Sequence, residues 1–528
     1  MVSDIRKYPV GIQTFQRIVE ENYIYIDKTD MIWRMTHVSP FVFLSRPRRF
    51  GKSLLSSTIH SYFRGDKRLF EGLKIMDLES EWDSSAVFHI DLSTAKSMDS
   101  ADALRNRLTY ILETFVEKYG KKATETTPGA LFEGLITRAF EQTGKQVVII
   151  IDEYDAPLLD VLHEELLLPE FRRVMQEFYQ PLKACERMVR FCFITGITKF
   201  SQLSIFSTIN NLTNISMDPA FSTICGITEE ELINKLGQDI QMLADHIGST
   251  YEETCSALKE NYDGYHFSEF SKGVYNPYSL LRCFLHKKLD NYWFSTGTPI
   301  FIIRKMQEFG IDITGMDHIE VPSSAFDRPT EAMTDILPLL YQAGYLTIKG
   351  YDSEIFSYTL SIPNKEVKVG FTEGLLPVYT GLNSAHVQLG FAAKFWKALK
   401  KNDINLALKE LQTYLEGIPF VNGFKQKLAA VSNAEGFYEY TLYLIFSMLN
   451  VYARTQVRCR GGQIDMVVFM PDTTYVFEIK KDGTAKNALE QIDSKGYALP
   501  YKTEGRKVVK AGLLFNSQTR TLKEWIVE

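Results

Sequence analysis

Cysteine is scarce in this 528-residue chain and never clusters: the six sit at positions 185, 192, 225, 255, 283 and 459, with no Cys-x-x-Cys pair. Its nine histidines are equally dispersed. A disulfide framework and a Cys/His zinc site are therefore not expected. No apolar run approaches the roughly 20 residues that span a bilayer, and the first residues carry no apolar h-region, so a cytoplasmic location is expected. Internal repeats and low-complexity tracts are also missing. With 45% hydrophobic and 23% charged residues, the composition is that of a globular chain long enough for about three domains. A net charge of −6 argues against indiscriminate coating of nucleic acid. Over residues 417–528, however, fifteen Lys and Arg face eleven Asp and Glu, which makes the C-terminal end the better polyanion contact.

What is present is polar chemistry at the ends of apolar strands. The run Phe41-Val-Phe-Leu-Ser45 leads through Arg46-Pro-Arg48-Arg49-Phe50 into Gly51-Lys52-Ser53, followed by a helical pattern over residues 54–63. In a phosphate-binding loop, backbone N–H groups and the helix N-terminus face the β-phosphate. The Lys reaches the β- and γ-phosphates, and the Ser binds Mg²⁺. The general pattern asks for Gly five residues before Gly51, where Arg46 stands. Alone, Gly-Lys-Ser is more often a plain helix start. A second element shifts the balance: Val147-Val-Ile-Ile-Ile151 reads as a central parallel strand and ends in Asp152-Glu153. At the carboxyl edge of an α/β sheet, Asp152 is the expected Mg²⁺ ligand and Glu153 the residue that polarises the attacking water. Without the loop, the same pair would read as a turn and a helix cap. A third run, Val189–Ile194, ends in Thr195-Gly-Ile-Thr198. Thr195 or Thr198 is a candidate γ-phosphate sensor, with an ordinary turn an equal reading for either alone.

Near the C-terminus, residues 463–469 and 474–480 are apolar strands around Met470-Pro-Asp-Thr473 and are expected to pair as a hairpin. That pairing brings Asp465 close to cross-strand register with Glu478, and two carboxylates there suit Mg²⁺ or Mn²⁺. Lys480, two positions on, projects from the same face and can approach a scissile phosphate. A lone Glu-x-Lys is usually an exposed ion pair on a strand. The apolar strand around it and the tight turn that Gly461-Gly462 permits favour a metal site. Upstream, Glu435 is the candidate third acidic ligand and Glu439 its alternative.

Taken together, the chain resembles the bacterial AAA-like ATPases fused to a C-terminal PD-(D/E)xK nuclease-like domain. The N-terminal likeness is carried by Tyr8-Pro-Val-Gly-Ile12, Tyr25-Ile-Asp27-Lys28-Thr29, Arg46 through Ser53, Ile151-Asp-Glu-Tyr-Asp-Ala-Pro157 and Ser207-Thr-Ile-Asn-Asn-Leu212. The C-terminal likeness is carried by Asp465, Glu478-x-Lys480 and a helix with Gln491 and Tyr497. The family's own loop reads Arg-Pro-Arg-Arg-Phe-Gly-Lys-Ser, so the missing first Gly departs from the general loop and not from this group. The resemblance implies nucleotide contacts from Arg49, Phe50, Gly51, Lys52, Ser53, Asp152 and Thr195, with Mg²⁺ on Ser53 and Asp152. It also implies catalysis by Glu153 at the first site and by Asp465, Glu478, Lys480 and Gln491 at the second. Arg46, Arg48 or Arg49 is available to set guanidinium charge near the γ-phosphate.

Between the ends, Thr228-Glu-Glu-Glu-Leu232 reads as an N-cap with an acidic first turn. Tyr262 through Phe267 and Val274-Tyr-Asn276-Pro277-Tyr278 match the family's lid, with Asn276 and Pro277 either a second sensor or a core turn. A helical pattern over residues 331–345, followed by strands at 346–350 and 356–362, resembles a winged helix. Its acidic tip favours a structural role over DNA contact. The expected fold class is α/β: a P-loop NTPase (AAA/ASCE-like) parallel-sheet domain at 1–235, a helical and winged-helix-like region at 236–383, and a restriction-endonuclease-like α/β domain with leading helices at 384–528. The resemblance implies ATP and Mg²⁺ as cofactors and nucleic acid as partner, with nucleotide state controlling a C-terminal phosphodiesterase. A homo-oligomer is compatible with it. The alternative is a non-hydrolysing nucleotide switch whose C-terminal domain only binds nucleic acid or a protein.

Overall fold

The computed structural model describes residues 6–162, 164, 166–198, 212–294, 302, 306, 316, 318–327, 336–380, 385–417, 434–449, 452–481, 483–502, 505–516, 519 and 521–528. The side chains of 376–380, 385–389, 434–437, 440, 448 and 452 lie outside this description. The chain divides into two compact units, Met1–Trp293 with Glu320–Asn364, and Phe294–Ile319 with Lys365–Glu528.

A run of β-branched residues with no polar face needs cover on both sides. The strand β3 (Val147–Asp152) is buried along its whole length inside a parallel sheet with β1 (Phe41–Ser45), β2 (Val87–Asp91), β4 (Val189–Gly196) and β5 (Thr213–Asn214), in the order β2-β3-β4-β1-β5. Alternation sets the two covers: His89 meets His60 of the helix Lys52–Phe63, while its neighbour Phe88 meets Phe115 and Phe132 of the helices behind. Because all five strands run the same way, the ends of β1, β2, β3 and β4 open on one edge. Leu44 is in register with Thr195, Ile151 with Ile194, and Asp91 with Asp152.

The next layer is fastened to this one by capping and charge. Thr228 and Glu231 form a reciprocal capping box at the start of the helix Glu229–Ile247. Glu231 also takes the buried Lys28 ammonium at 2.6 Å, which ties the Tyr25-to-Thr29 motif to this helix. The short strands β6 (Ile227–Thr228) and β7 (Val274–Tyr275) pair antiparallel, and Asn276 caps the helix Pro277–His286 by accepting from the Ser279 N–H, as a core turn requires. Strands β9 (Thr347–Asp352) and β10 (Ser357–Ser361) pair antiparallel after the helix Leu337–Ala343, with β8 (Ile319–Pro322) beside β10.

In the second unit, the helices Ala385–Lys400 and Ile404–Glu416 stack Phe391 on Tyr414 with ring centroids 4.1 Å apart. They lead to the helix Ala434–Met448 and a sheet of β11 (Tyr452–Cys459), β12 (Gly462–Phe469), β13 (Thr473–Lys481), β14 (Lys507–Phe515) and β15 (Leu522–Val527) in chain order. Only β13 and β14 run parallel; the other pairs are antiparallel. Phe477 packs on Phe446 of the helix Ala434–Met448, while Val476 and Val467 pack with Leu489 and Ile492 of the helix Ala485–Ser494. The expected hairpin is β12–β13.

Gly512 decides how that last helix seats. It lies in register with Glu478, and a Cβ there would stand 2.4 Å from the Ala485 carbonyl oxygen and 2.8 Å from the Leu489 nitrogen. Only the missing side chain lets the helix backbone approach β14 this closely. Gly512→Val is expected to destabilise the C-terminal unit by about 2 kcal/mol or more through overpacking. Urea unfolding followed by a probe in that unit measures it, and an unchanged midpoint counts against this packing.

Candidate functional site

Residue 46 carries the strand onward rather than turning it. The Arg46 N–H donates to the Gly196 carbonyl at 3.1 Å, extending the β1–β4 ladder by one step. The left-handed conformations come later, at Arg49 (φ 68°) and Gly51 (φ 90°). That is why Arg stands where the general loop has Gly: no positive φ is required there. Gly51 precedes the helix Lys52–Phe63, and a methyl group on it would meet open space, so the loop backbone is accessible.

Lys52 is buried, and its Nζ donates to the Arg46 and Pro47 carbonyls at 3.0 Å each. Burial pulls this ammonium below its usual range, opposed by Asp152, Glu153 and Asp155. Asp152 is also buried. Burial pushes its carboxyl up to about 6, against the Ser53 hydroxyl that bonds it and the Lys52 charge. Ser53 by its hydrogen bond and Lys52 by its charge thus both act on Asp152. Glu153 follows in a left-handed conformation (φ 49°), uncommon for a residue with a Cβ, and its carboxylate pairs with Lys96 at 3.1 Å.

The two threonines at the end of β4 face inward. Thr195 is fully buried and donates to the Leu44 carbonyl at 2.8 Å. Thr198 donates its hydroxyl and its N–H to Asp155 Oδ2 at 2.7 Å each, and the Ile197 N–H adds a third bond at 3.0 Å. Gly196 must be Gly, since a Cβ would lie 2.4 Å from Asp155 Oδ1. Asp155, Lys96 and Asp91 were not singled out in the sequence. Asp155 is legible only as the fourth residue of Asp-Glu-Tyr-Asp, Asp91 only as a strand-end acid, and Lys96 sits in a loop without pattern.

The three arginines of the loop part ways. Arg46 is buried among carbonyls, Arg48 is exposed, and the Arg49 guanidinium lies 3.7 Å from the centre of the Tyr278 ring. Phe50 is buried, edge-on to Tyr265 and Phe267, which anchors the loop to the Tyr262-to-Phe267 motif. Beside Gly51 lies an apolar cavity of about 90 Å³ bounded by Pro9, Ile26, Leu54, Ile224 and Pro277. Of the Ser207-to-Leu212 motif, all but Leu212 lies outside the described residues.

In the second unit, the ladder contact Met466–Phe477 continues toward Asp465 and Glu478, and Asp465 Oδ2 accepts the Ile479 N–H at 2.7 Å. Glu478 is 1% exposed. Its Oε1 takes the Lys480 ammonium at 2.8 Å, while its buried Oε2 has no hydrogen-bond partner among the described residues. Burial and then the Asp465 charge push its carboxyl up to about 7, with Lys480 pulling the other way. A buried carboxylate oxygen without a donor fits a hard cation, and Asp465 and Glu478 would be its protein ligands. No cluster of three or more His, Cys, Asp or Glu suited to a metal occurs among the described residues. The Glu435 side chain lies outside the description, and Glu439 accepts from Gln456 Nε2 at 2.6 Å. Gln491 is half-buried on the helix Ala485–Ser494, and Tyr497 is buried with its hydroxyl against Gly462.

Comparison with known proteins agrees with this division of chemistry. Residues 9–206 match the predicted AAA-ATPase family, and residues 433–525 match the PD-(D/E)XK nuclease superfamily. An uncharacterized protein from the vnfD 5′ region of Azotobacter chroococcum mcd 1 is 32% identical over 538 residues, which cover 99% of each chain. The chain belongs to the family that joins an AAA-ATPase-like domain to a C-terminal PD-(D/E)XK nuclease-superfamily domain.

Proposed function

We propose that this protein binds and hydrolyses ATP at the carboxyl edge of its parallel sheet and that nucleotide state controls cleavage of nucleic-acid phosphodiesters in its C-terminal unit. The observation that carries the nuclease half is the buried Oε2 of Glu478, without a partner among the described residues, beside Asp465 and Lys480. The joint action of Lys52 and Ser53 on Asp152 supports the nucleotide half.

At the first site, the apolar wall of Pro9, Ile26, Leu54, Ile224 and Pro277 beside Gly51 receives one edge of the base, and the first-turn N–H groups take phosphate oxygens. Lys52 exchanges the Arg46 and Pro47 carbonyls for the β- and γ-phosphates. Ser53 and Asp152 hold Mg²⁺. Glu153 leaves Lys96 to orient a water, while Asp155 fixes the 197–198 backbone and Thr195 ties β4 to β1. At the second site, Asp465 and Glu478 hold the divalent ion, with Lys480 placed to offset charge on the phosphate and Gln491 to position the substrate. A divalent ion, when bound, supplies positive charge against phosphate oxygens.

Release of labelled fragments from single- and double-stranded DNA and RNA tests the nuclease half. Cleavage requiring Mg²⁺ or Mn²⁺ is expected, stimulated by ATP and reduced at least 100-fold by Asp465→Ala or Lys480→Ala. Cleavage unchanged in both variants defeats the assignment, and binding without cleavage under every condition favours the switch. For the ATPase, Lys52→Ala is expected to lose nucleotide binding and Glu153→Gln to bind ATP while losing about 100-fold in turnover. Full hydrolysis in both would remove the roles assigned to Lys52 and Glu153.

The Glu478 environment also sets a pH dependence. Its folded pKa of about 7 lies above the ordinary value of 4.5, so the folded state favours the proton and the ionised carboxylate costs stability. That cost is absent below about pH 4.5 and complete above about pH 7. Glu478→Gln should therefore stabilise the metal-free protein at pH 8 by up to about 3 kcal/mol and change it little at pH 4.5. Thermal melts at the two pH values measure this; a lower midpoint for the variant at pH 8 contradicts it.

A further inference from the structure

Arg46 is a buried charge whose partners do not neutralise it. It is 1% exposed, and its guanidinium donates to the Ser45 carbonyl at 2.8 Å, the Ser216 carbonyl at 2.7 Å and the Phe221 carbonyl at 3.1 Å. It also lies 4.1 Å from the centre of the Phe267 ring. Among the described residues, no carboxylate pairs with it, and its buried Nε has no hydrogen-bond partner. Carbonyl dipoles and a ring face soften the cost of burying a cation but leave its net charge uncompensated. Guanidinium stays protonated under these conditions, so the charge cannot be removed by titration.

The same side chain lines a cavity of about 130 Å³. Its walls include the rings of Phe267, Phe326, Tyr341 and Tyr358, with Phe326 edge-on to both tyrosines at 5.3 Å. Small polar groups such as Ser323 complete the lining, and among the described residues Arg46 is its sole ionisable cation or carboxylate. Glu269 accepts from the Tyr358 hydroxyl at 3.4 Å without forming part of the wall. A void of about 150 Å³ is enough for benzene, so this one takes a molecule of a few heavy atoms. One positive charge on a lining side chain calls for one negative charge. Aromatic walls call for an apolar body. A phosphate dianion would set two negative charges against this one cation.

We propose that this cavity binds a small monocarboxylate, its carboxylate on Arg46 and its apolar body among Phe326, Tyr341 and Tyr358. The carbonyl of Arg46 accepts from Lys52 Nζ at 3.0 Å, so the cavity and the loop lysine share this one residue. Binding is measured without reference to ATP turnover, so the site stands or falls apart from the function proposed above.

Calorimetric titration of the full-length protein with sodium acetate and sodium propionate tests the proposal, with propionamide as the neutral isostere. Propionate is expected to saturate one site per chain and propionamide to bind at least tenfold more weakly. Ser323→Leu, which fills the cavity from a wall residue outside the nucleotide loop, should weaken propionate at least tenfold while leaving circular dichroism unchanged. Arg46→Met should remove the preference for propionate over propionamide; if that variant does not fold, Ser323→Leu decides alone. No saturable binding of either carboxylate, equal affinity for propionate and propionamide, or propionate binding unchanged in Ser323→Leu would overturn the assignment.

Discussion

The strand β3 delivers Asp152 and, three residues on, Asp155 into surroundings of Val, Ile and Phe, and Lys52 is buried at the same edge. Charges in such a place persist only if every lone pair and proton finds a partner. The partners are mostly backbone: Arg46 and Pro47 carbonyls for Lys52, and the 197 and 198 N–H groups for Asp155. Each of these bonds fixes a loop. The buried ionic set is thus what shapes the edge, and the apolar sheet is what makes the set exacting.

The C-terminal unit obeys the same constraint and leaves it unfinished. Glu478 is as buried as Asp155, yet only one of its oxygens is bonded among the described residues. An orphaned acceptor costs the desolvation of a charged group, which is why its carboxyl holds a proton near neutral pH. Satisfied charge at Asp155 serves the architecture, whereas the unsatisfied charge at Glu478 is what motivates the cation proposed there. The difference separates a positioning residue from a ligand more sharply than residue type does.

Much of this was legible in the sequence where the signal is local. The unalternated run at 147–151 marked a buried parallel strand, Gly51-Lys52-Ser53 a helix start after an apolar strand, and the arms around residue 472 a hairpin that carries Asp465 toward Glu478. Thr228 marked a capped helix because caps are read from three or four residues. What escaped depends on residues far apart in the chain. Lys96 reaches Glu153 across 57 positions, Arg46 reaches Ser216 across 170, and Gly512 matters only because Ala485 lies over it. Side-chain direction was equally hidden: Thr195 ends a strand, as a sensor would, yet its hydroxyl turns to Leu44.

The missing glycine shows why a motif is better treated as a set of backbone requirements than as a string. A Gly is needed where φ is positive or where another backbone comes close. Neither condition holds at residue 46, which continues the ladder to Gly196, and the positive φ values fall on Arg49 and Gly51. Freed from the conformational demand, position 46 can carry a long side chain, and this chain has put a cation there and buried it. The loop's left-handed turn lies at residues 49–51, and Arg46 adds a charge behind the loop. Its backbone oxygen holds Lys52, its guanidinium holds residues 216 and 221, and through that one residue the phosphate loop is bound to the segment that follows β5.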